Sequence, residues 1–275
     1  SFTLLLIMIW LIKLFNQGRI SLKRSFLDIP LSFFVFVLFF SLLMSCFKMV
    51  SLKEFIIFFS YIFLYFLIIN YVKNQADFNA FIRLFFMISF IISLYTLFQY
   101  YGLLPYLNHS NELSFSIGQK NWTSNYLAMM FPVAFSYFLL EKNKRDKLIY
   151  FGLLVILYIN LLLCQSRGIW ISIVMSLILA FFIISKYNLW HIFLKNKKWL
   201  VSLMIIYLIL GIVYSNDNFL NRSQITVSEK AISTFDKSDT SINMRVLNWR
   251  TTFEMIKDFP IFGLGIGTFK MYYLP

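Results

Sequence analysis

The sequence predicts an all-α protein: a polytopic bundle of transmembrane helices with one long extramembrane loop that carries an amphipathic helix. Three observations predict it. Hydrophobic residues make up 60% of the chain, 34 of them Phe, and the mean hydropathy is +0.74, well outside the range of soluble globular chains. Apolar runs of membrane-spanning length recur from one end of the chain to the other. Finally, Lys and Arg gather in alternate short connections between those runs, which is how a membrane protein records its orientation.

The runs define a bundle over residues 1–214 with about eight spans, at roughly 2–15, 29–47, 55–72, 84–101, 122–140, 148–164, 169–185 and 199–214. Connections 16–28, 73–83, 141–147 and 186–198 hold thirteen Lys or Arg, whereas 48–54, 102–121 and 165–168 hold four. The first set is expected in the cytoplasm. An even number of crossings then places residues 215–275 outside, as an extracytoplasmic loop incomplete at its C-terminal end. A net charge of +13 in a soluble chain would suggest nucleic acid. Here the basic residues form no soluble groove, so nucleic acid is not an expected partner. Cys46 and Cys164 lie within or at the ends of apolar runs and read as small buried hydrophobes. The chain begins at Ser1 inside an apolar run and ends at Pro275 without a terminal element, which reads as a fragment of a longer protein.

The candidate site residues lie on the outer side. Connection 102–121 leads through Gly118-Gln-Lys-Asn121 into the fifth span, where Asn121 and Asn125 stand one helical turn apart on one face. They either cap the helix or touch a ligand. Pro132 is expected to bend this span. The string Gln165-Ser-Arg-Gly168 brackets a charge closely between two apolar spans. Such an arginine pairs, faces a watery cavity or snorkels to headgroups, and Ser166 and Gly168 leave room for a close backbone approach.

Beyond Asn216 the chain turns polar, with a short helix expected near 228–235. Val246, Trp249, Phe253 and Ile256 then recur at steps of three and four, giving one apolar stripe along a helix that Pro260 stops. Ser241 or Asn243 is the expected cap. Such a helix is expected to lie in the membrane interface. Arg250 has Glu254 four residues on and reads as a surface ion pair, whereas Arg245 has no partner in its own helix. Gly263, Gly265 and Gly267 have the wrong spacing for a dinucleotide fingerprint and indicate a flexible or closely packed loop. His109 and His191 read as a solvated and an interfacial side chain.

Arginines on the outer face of a bundle suit an anion at the lipid boundary, because a guanidinium fork matches phosphate oxygens bidentately. They would also stabilise the charge of a leaving phosphate. The ligand class is therefore a phosphate or diphosphate of a lipid-linked donor. No His/Asp/Glu set has metal-ligand spacing, so neither a metal nor another cofactor is expected.

Three strings in order, Gly118-Gln-Lys-Asn121 with Asn125-Tyr-Leu-Ala128, Ser166-Arg-Gly-Ile-Trp170, and Arg245-Val-Leu-Asn-Trp249 with Pro260 through Phe269, resemble the O-antigen ligase and O-antigen polymerase (Wzy-type) family. The likeness is strongest from about residue 115 onward. It implies a GT-C-like membrane enzyme of the bacterial cytoplasmic (inner) membrane that performs inverting, metal-independent glycosyl transfer in surface-polysaccharide synthesis. The implied donor is an undecaprenyl-diphosphate-linked oligosaccharide and the acceptor a further glycan or a lipid. Arg167 and Arg245 match the arginines that hold the donor diphosphate. Asn121, Asn125, Ser166, Gly168, Trp249, Gly263, Gly265 and Gly267 are read as supporting residues. The family's catalytic histidine falls past Pro275, so the general base is not in this sequence and the fragment alone is expected to be inactive. A polytopic transporter or lipid-linked-glycan flippase is the alternative, although the chain shows no internal repeat and its charges sit at the edge of the membrane.

Overall fold

The computed structural model describes residues 8–10, 12, 23–105, 120–164, 166–215 and 240–272. Among them no strand occurs, and the helices are α1 (Asp28–Met44), α2 (Lys48–Tyr71), α3 (Gln75–Tyr100), α4 (Lys120–Leu140), α5 (Lys144–Leu163), α6 (Arg167–Lys186), α7 (Trp190–Lys195), α8 (Lys197–Ser215), α9 (Thr240–Asp258) and α10 (Phe269–Tyr272). The all-α class is as expected. Five of the eight expected spans lie in helices long and apolar enough to cross a membrane: α2, α3, α5, α6 and α8. Helix α1 is shorter, and α4 opens on the polar string Lys120-Asn-Trp-Thr-Ser-Asn125. The span at 2–15 and the helix at 228–235 fall wholly or largely outside the described residues.

The chain divides into two compact units, residues 1–79 with 237–275, and residues 80–236. In the first, α1 and α2 form an antiparallel hairpin. Phe39 meets Phe55, Phe34 meets Phe58, and the Tyr65 hydroxyl donates to Asp28 Oδ1 at 2.9 Å. The hairpin turns at Ser45-Cys-Phe47, where the Phe47 amide donates to Ser45 Oγ at 3.1 Å. That bond satisfies a backbone donor where the two helices cannot.

The second unit is built around α5, whose Leu153, Leu154, Ile156, Leu157 and Leu161 are buried against Leu127, Phe131, Ala134 and Phe138 of α4, Phe86 of α3 and Leu203 of α8. Polar side chains join the helices inside this apolar packing. Asn160 Nδ2 donates to the Ser93 carbonyl at 3.3 Å, and Tyr126 OH and Ser89 Oγ pair at 3.1 Å. Such bonds hold helices together where lipid offers no hydrophobic drive for association. At one end of this unit Lys147 Nζ donates to Asn196 Oδ1 at 2.6 Å and to the Glu141 carbonyl at 2.9 Å, while Asn196 Nδ2 reaches the Leu139 carbonyl at 2.9 Å. Connections 141–147 and 186–198, both in the basic set, therefore share one end. At the other end Tyr101 and Tyr214 hydroxyls meet at 3.0 Å.

Many large apolar side chains on the spans are exposed, among them Phe33, Phe182, Leu179 and Leu208. For a soluble protein that surface would be an aggregation hazard; on membrane-spanning helices it is the face that meets lipid. Cys164 is buried, as expected, but Cys46 is exposed, because it lies on the hairpin turn and not within a span.

Candidate functional site

Arg167 is the first residue of α6, directly after Ser166 at the N-cap. The Ser166 carbonyl accepts from the amides of Ile169 and Trp170 at 3.1 and 3.3 Å, which starts the helix, although the Ser166 hydroxyl makes no capping bond. Arg167 therefore stands at the positive end of the helix dipole, which favours anions. Gly168 is exposed, and a Cβ there would meet nothing within 4 Å. No other part of the described protein fills the close approach expected at Ser166 and Gly168.

Two grooves run down α6 from this point. One, of about 430 Å³, is apolar and lined by Phe131, Phe135, Tyr158, Leu161, Leu162, Trp170, Ile173, Leu177 and Tyr207. Trp170 sits at its upper rim, one turn along from Arg167, with its indole N–H donating to the Leu161 carbonyl at 3.2 Å. The other, of about 360 Å³, lies between α4 and α6 and is lined by Asn125, Ala128, Met129, Pro132, Ser172, Ile173 and Ser176. Asn121 and Asn125 both fall on the first turns of α4 and are exposed. The structure thus brings Asn125 to a groove that α6 also forms. His109 and Gly118 fall outside the described residues.

Arg245 lies on α9, and its side chain is exposed. The helix begins at Thr240, so Ser241 and Asn243 are inside it and neither is the expected cap. The helix runs six residues further back than Val246, the first residue of its apolar stripe, because the stripe marks one side-chain face and not where backbone hydrogen bonds begin. Val246, Trp249, Phe253 and Ile256 are all exposed, so nothing among the described residues covers this stripe. Glu254 pairs with Lys257 at 2.9 Å and not with Arg250. On a helix the third and fourth neighbours compete for one partner, and here the third wins.

The glycine loop is seated, not free. Gly263, Gly265 and Gly267 all adopt positive φ, at 66°, 108° and 74°. A Cβ on Gly265 would fall onto the Ser45 side chain and within 2.9 Å of Ser51 Oγ, and one on Gly267 would strike the Glu54 side chain. Only Gly263 has open space around it. Ser51 Oγ donates to the Ile266 carbonyl at 3.0 Å and pairs with Ser45 Oγ at 2.7 Å. Within the loop, Thr268 Oγ1 donates to the Gly265 carbonyl at 2.7 Å and is fully buried. Rings close both flanks: Phe262 stacks on Phe40 at 5.5 Å, and Tyr272 meets Phe47 at 5.7 Å and Phe259 at 6.4 Å. A hydrogen bond with Cys46 and then burial hold the Tyr272 phenol above its ordinary value. Of the two readings of the glycines, close packing is the one found. The seat itself, Ser45, Ser51 and Glu54, was not singled out from sequence. Its only signal there is a pair of serines at the corner between two apolar runs.

Comparison with known proteins agrees with the C-terminal strings. The family model described as O-antigen ligase matches residues 151–275, which includes Arg167, Arg245 and all three loop glycines. No curated protein and no solved structure matches the chain. Among the described residues the chain has five helices long and apolar enough to cross a membrane, as a multi-pass membrane protein has, and its residues 151–275 are similar to the O-antigen ligase family.

Proposed function

From the membership of residues 151–275 in the O-antigen ligase family, we propose that the protein transfers or polymerises an undecaprenyl-diphosphate-linked glycan on the outer face of the bacterial cytoplasmic membrane. The family match is the observation that carries this reading. The reaction is an inverting transfer: an acceptor hydroxyl attacks the anomeric carbon, the bond to the diphosphate oxygen breaks, and undecaprenyl diphosphate leaves.

Arg167 and Arg245 are each assigned to the donor diphosphate. For Arg167 the support is its place at the start of α6, where the helix dipole adds to the guanidinium charge. For Arg245 it is an exposed guanidinium on a helix whose apolar stripe suits the membrane interface. The apolar groove that starts one turn below Arg167 suits an isoprenoid tail, since it offers apolar surface directly beneath a headgroup site. Asn125, at the rim of the neighbouring groove, offers an amide to a sugar hydroxyl. The acceptor hydroxyl's proton passes to a base, a role to which no described residue is assigned.

Arg167→Ala and Arg245→Ala are each expected to abolish glycan transfer in the full-length protein while it still reaches the membrane. Losing a charge-assisted bond to a developing oxyanion costs about 10²–10³ in rate. Normal glycan chains from both variants would defeat the assignment. Arg250→Ala is expected to leave most of the activity, and an equal loss there would mean that the wrong arginine on α9 was chosen.

A further inference from the structure

The loop glycines lie in the family-matched region, but the surface they sit on does not: Ser45, Ser51 and Glu54 belong to the α1–α2 corner, about two hundred residues earlier. The contact is specific at three levels. Gly265 and Gly267 are admitted only because they lack a Cβ. Ser51 supplies a hydroxyl to the Ile266 carbonyl, and both Ser45 and Ser51 are buried. Phe47 then touches Tyr272, which touches Phe259 immediately after the end of α9.

We propose that the α1–α2 corner, through Ser45 and Ser51, is the positioning element for Arg245, fixing the end of α9 so that its guanidinium is presented to the diphosphate. This inference rests on the functional reading above. Arg245 stands fourteen residues before Phe259, about 21 Å along a helix axis. With such a lever, a swing of about 10° at the anchored end moves Arg245 by about 4 Å, and displacements of about 1 Å already cost about 10²-fold in an aligned site. A loop that merely capped the protein would not need two hydroxyls and two glycines matched to one corner. An anchor for a long lever does.

The test uses the full-length protein in nanodiscs, with undecaprenyl diphosphate as the binding probe and amide hydrogen exchange over residues 259–272 as a second readout. Ser51→Ala and Gly265→Ala are expected to speed exchange in that segment and weaken undecaprenyl diphosphate binding about tenfold or more. Arg250→Ala is expected to leave both unchanged. Fast exchange with wild-type affinity would overturn the inference, because the seat would then be packing alone. Unchanged exchange in Gly265→Ala would overturn it as well, because the corner would not be holding the loop. A wild-type protein that fails to bind undecaprenyl diphosphate, yet shows slow exchange at 259–272, would defeat the functional reading and the positioning role with it while leaving the seat intact.

Discussion

At the scale of single residues, the three loop glycines look equivalent in sequence and are not equivalent in the structure. All have positive φ, so any L-residue there carries the left-handed strain of about 1–2 kcal/mol. Gly263→Ala meets nothing else, and its cost should stop there. Gly267→Ala also strikes Glu54 at Cγ, close to its backbone, so that side chain or the loop must shift. Gly265→Ala strikes Ser45 and Ser51, which are buried on the hairpin corner and have nowhere to go. Thermal unfolding of the three variants should therefore rank Gly265→Ala as the most destabilised, Gly267→Ala next and Gly263→Ala least; a ranking that makes Gly263→Ala the least stable would contradict the seat. Sequence shows the glycines but not this ranking, because the partner is 215 residues away from Ile266 and nothing local records it. The same limit explains Glu254. Its spacing from Arg250 and from Lys257 allows either pair, and only side-chain geometry decides for Lys257.

At the scale of elements, hydropathy found five of the eight expected spans in helices long enough to cross a membrane, but set the helix starts too far inward. Helix α5 begins at Lys144, not near 148, because Asn143 caps it by accepting from the Arg145 amide at 3.1 Å. The polar first turn is helical but lies beyond the apolar run that hydropathy detects. Helix α2 extends over 24 residues, about 36 Å at helical rise, and so exceeds a hydrocarbon core of about 30 Å. Helix α9 is the opposite case. Its stripe was legible from spacing alone, whereas its start was not. The stripe of Val246, Trp249, Phe253 and Ile256 is uncovered, and Glu254 and Lys257 pair in the open. An interfacial helix predicts different environments for neighbouring positions. A spin label at Phe253→Cys should be reached by dissolved oxygen from the lipid, and one at Glu254→Cys by a water-soluble nickel complex. Equal access of the aqueous reagent to both would remove α9 from the interface.

At the scale of the whole molecule, the placement of charge along the chain predicts which end of each helix faces the cytoplasm. The structure ties together the ends that the charge count groups. The Lys147–Asn196 bond joins two connections of the basic set within residues 80–236. In the other unit, Ser51 on the α1–α2 corner holds Ile266 of the C-terminal loop, two stretches that the sequence reading expects on the same side. The helical bundle was legible because lipid imposes a length rule that acts locally along the chain, and the charge rule predicts a sidedness in the same local way. The loop's seat was not legible, because no such rule governs pairing between distant extramembrane turns. The orientation is open to a direct test with a native reporter. Cys46 is exposed on the α1–α2 corner, while Cys164 is buried and should stay silent. A membrane-impermeant maleimide applied to intact cells should therefore label Cys46, whereas Lys142→Cys, at an exposed position of the 141–147 connection, should label only after the membrane is opened. The reverse pattern would invert the protein, place the glycine loop and Arg245 on the cytoplasmic side, and exclude transfer on the outer face.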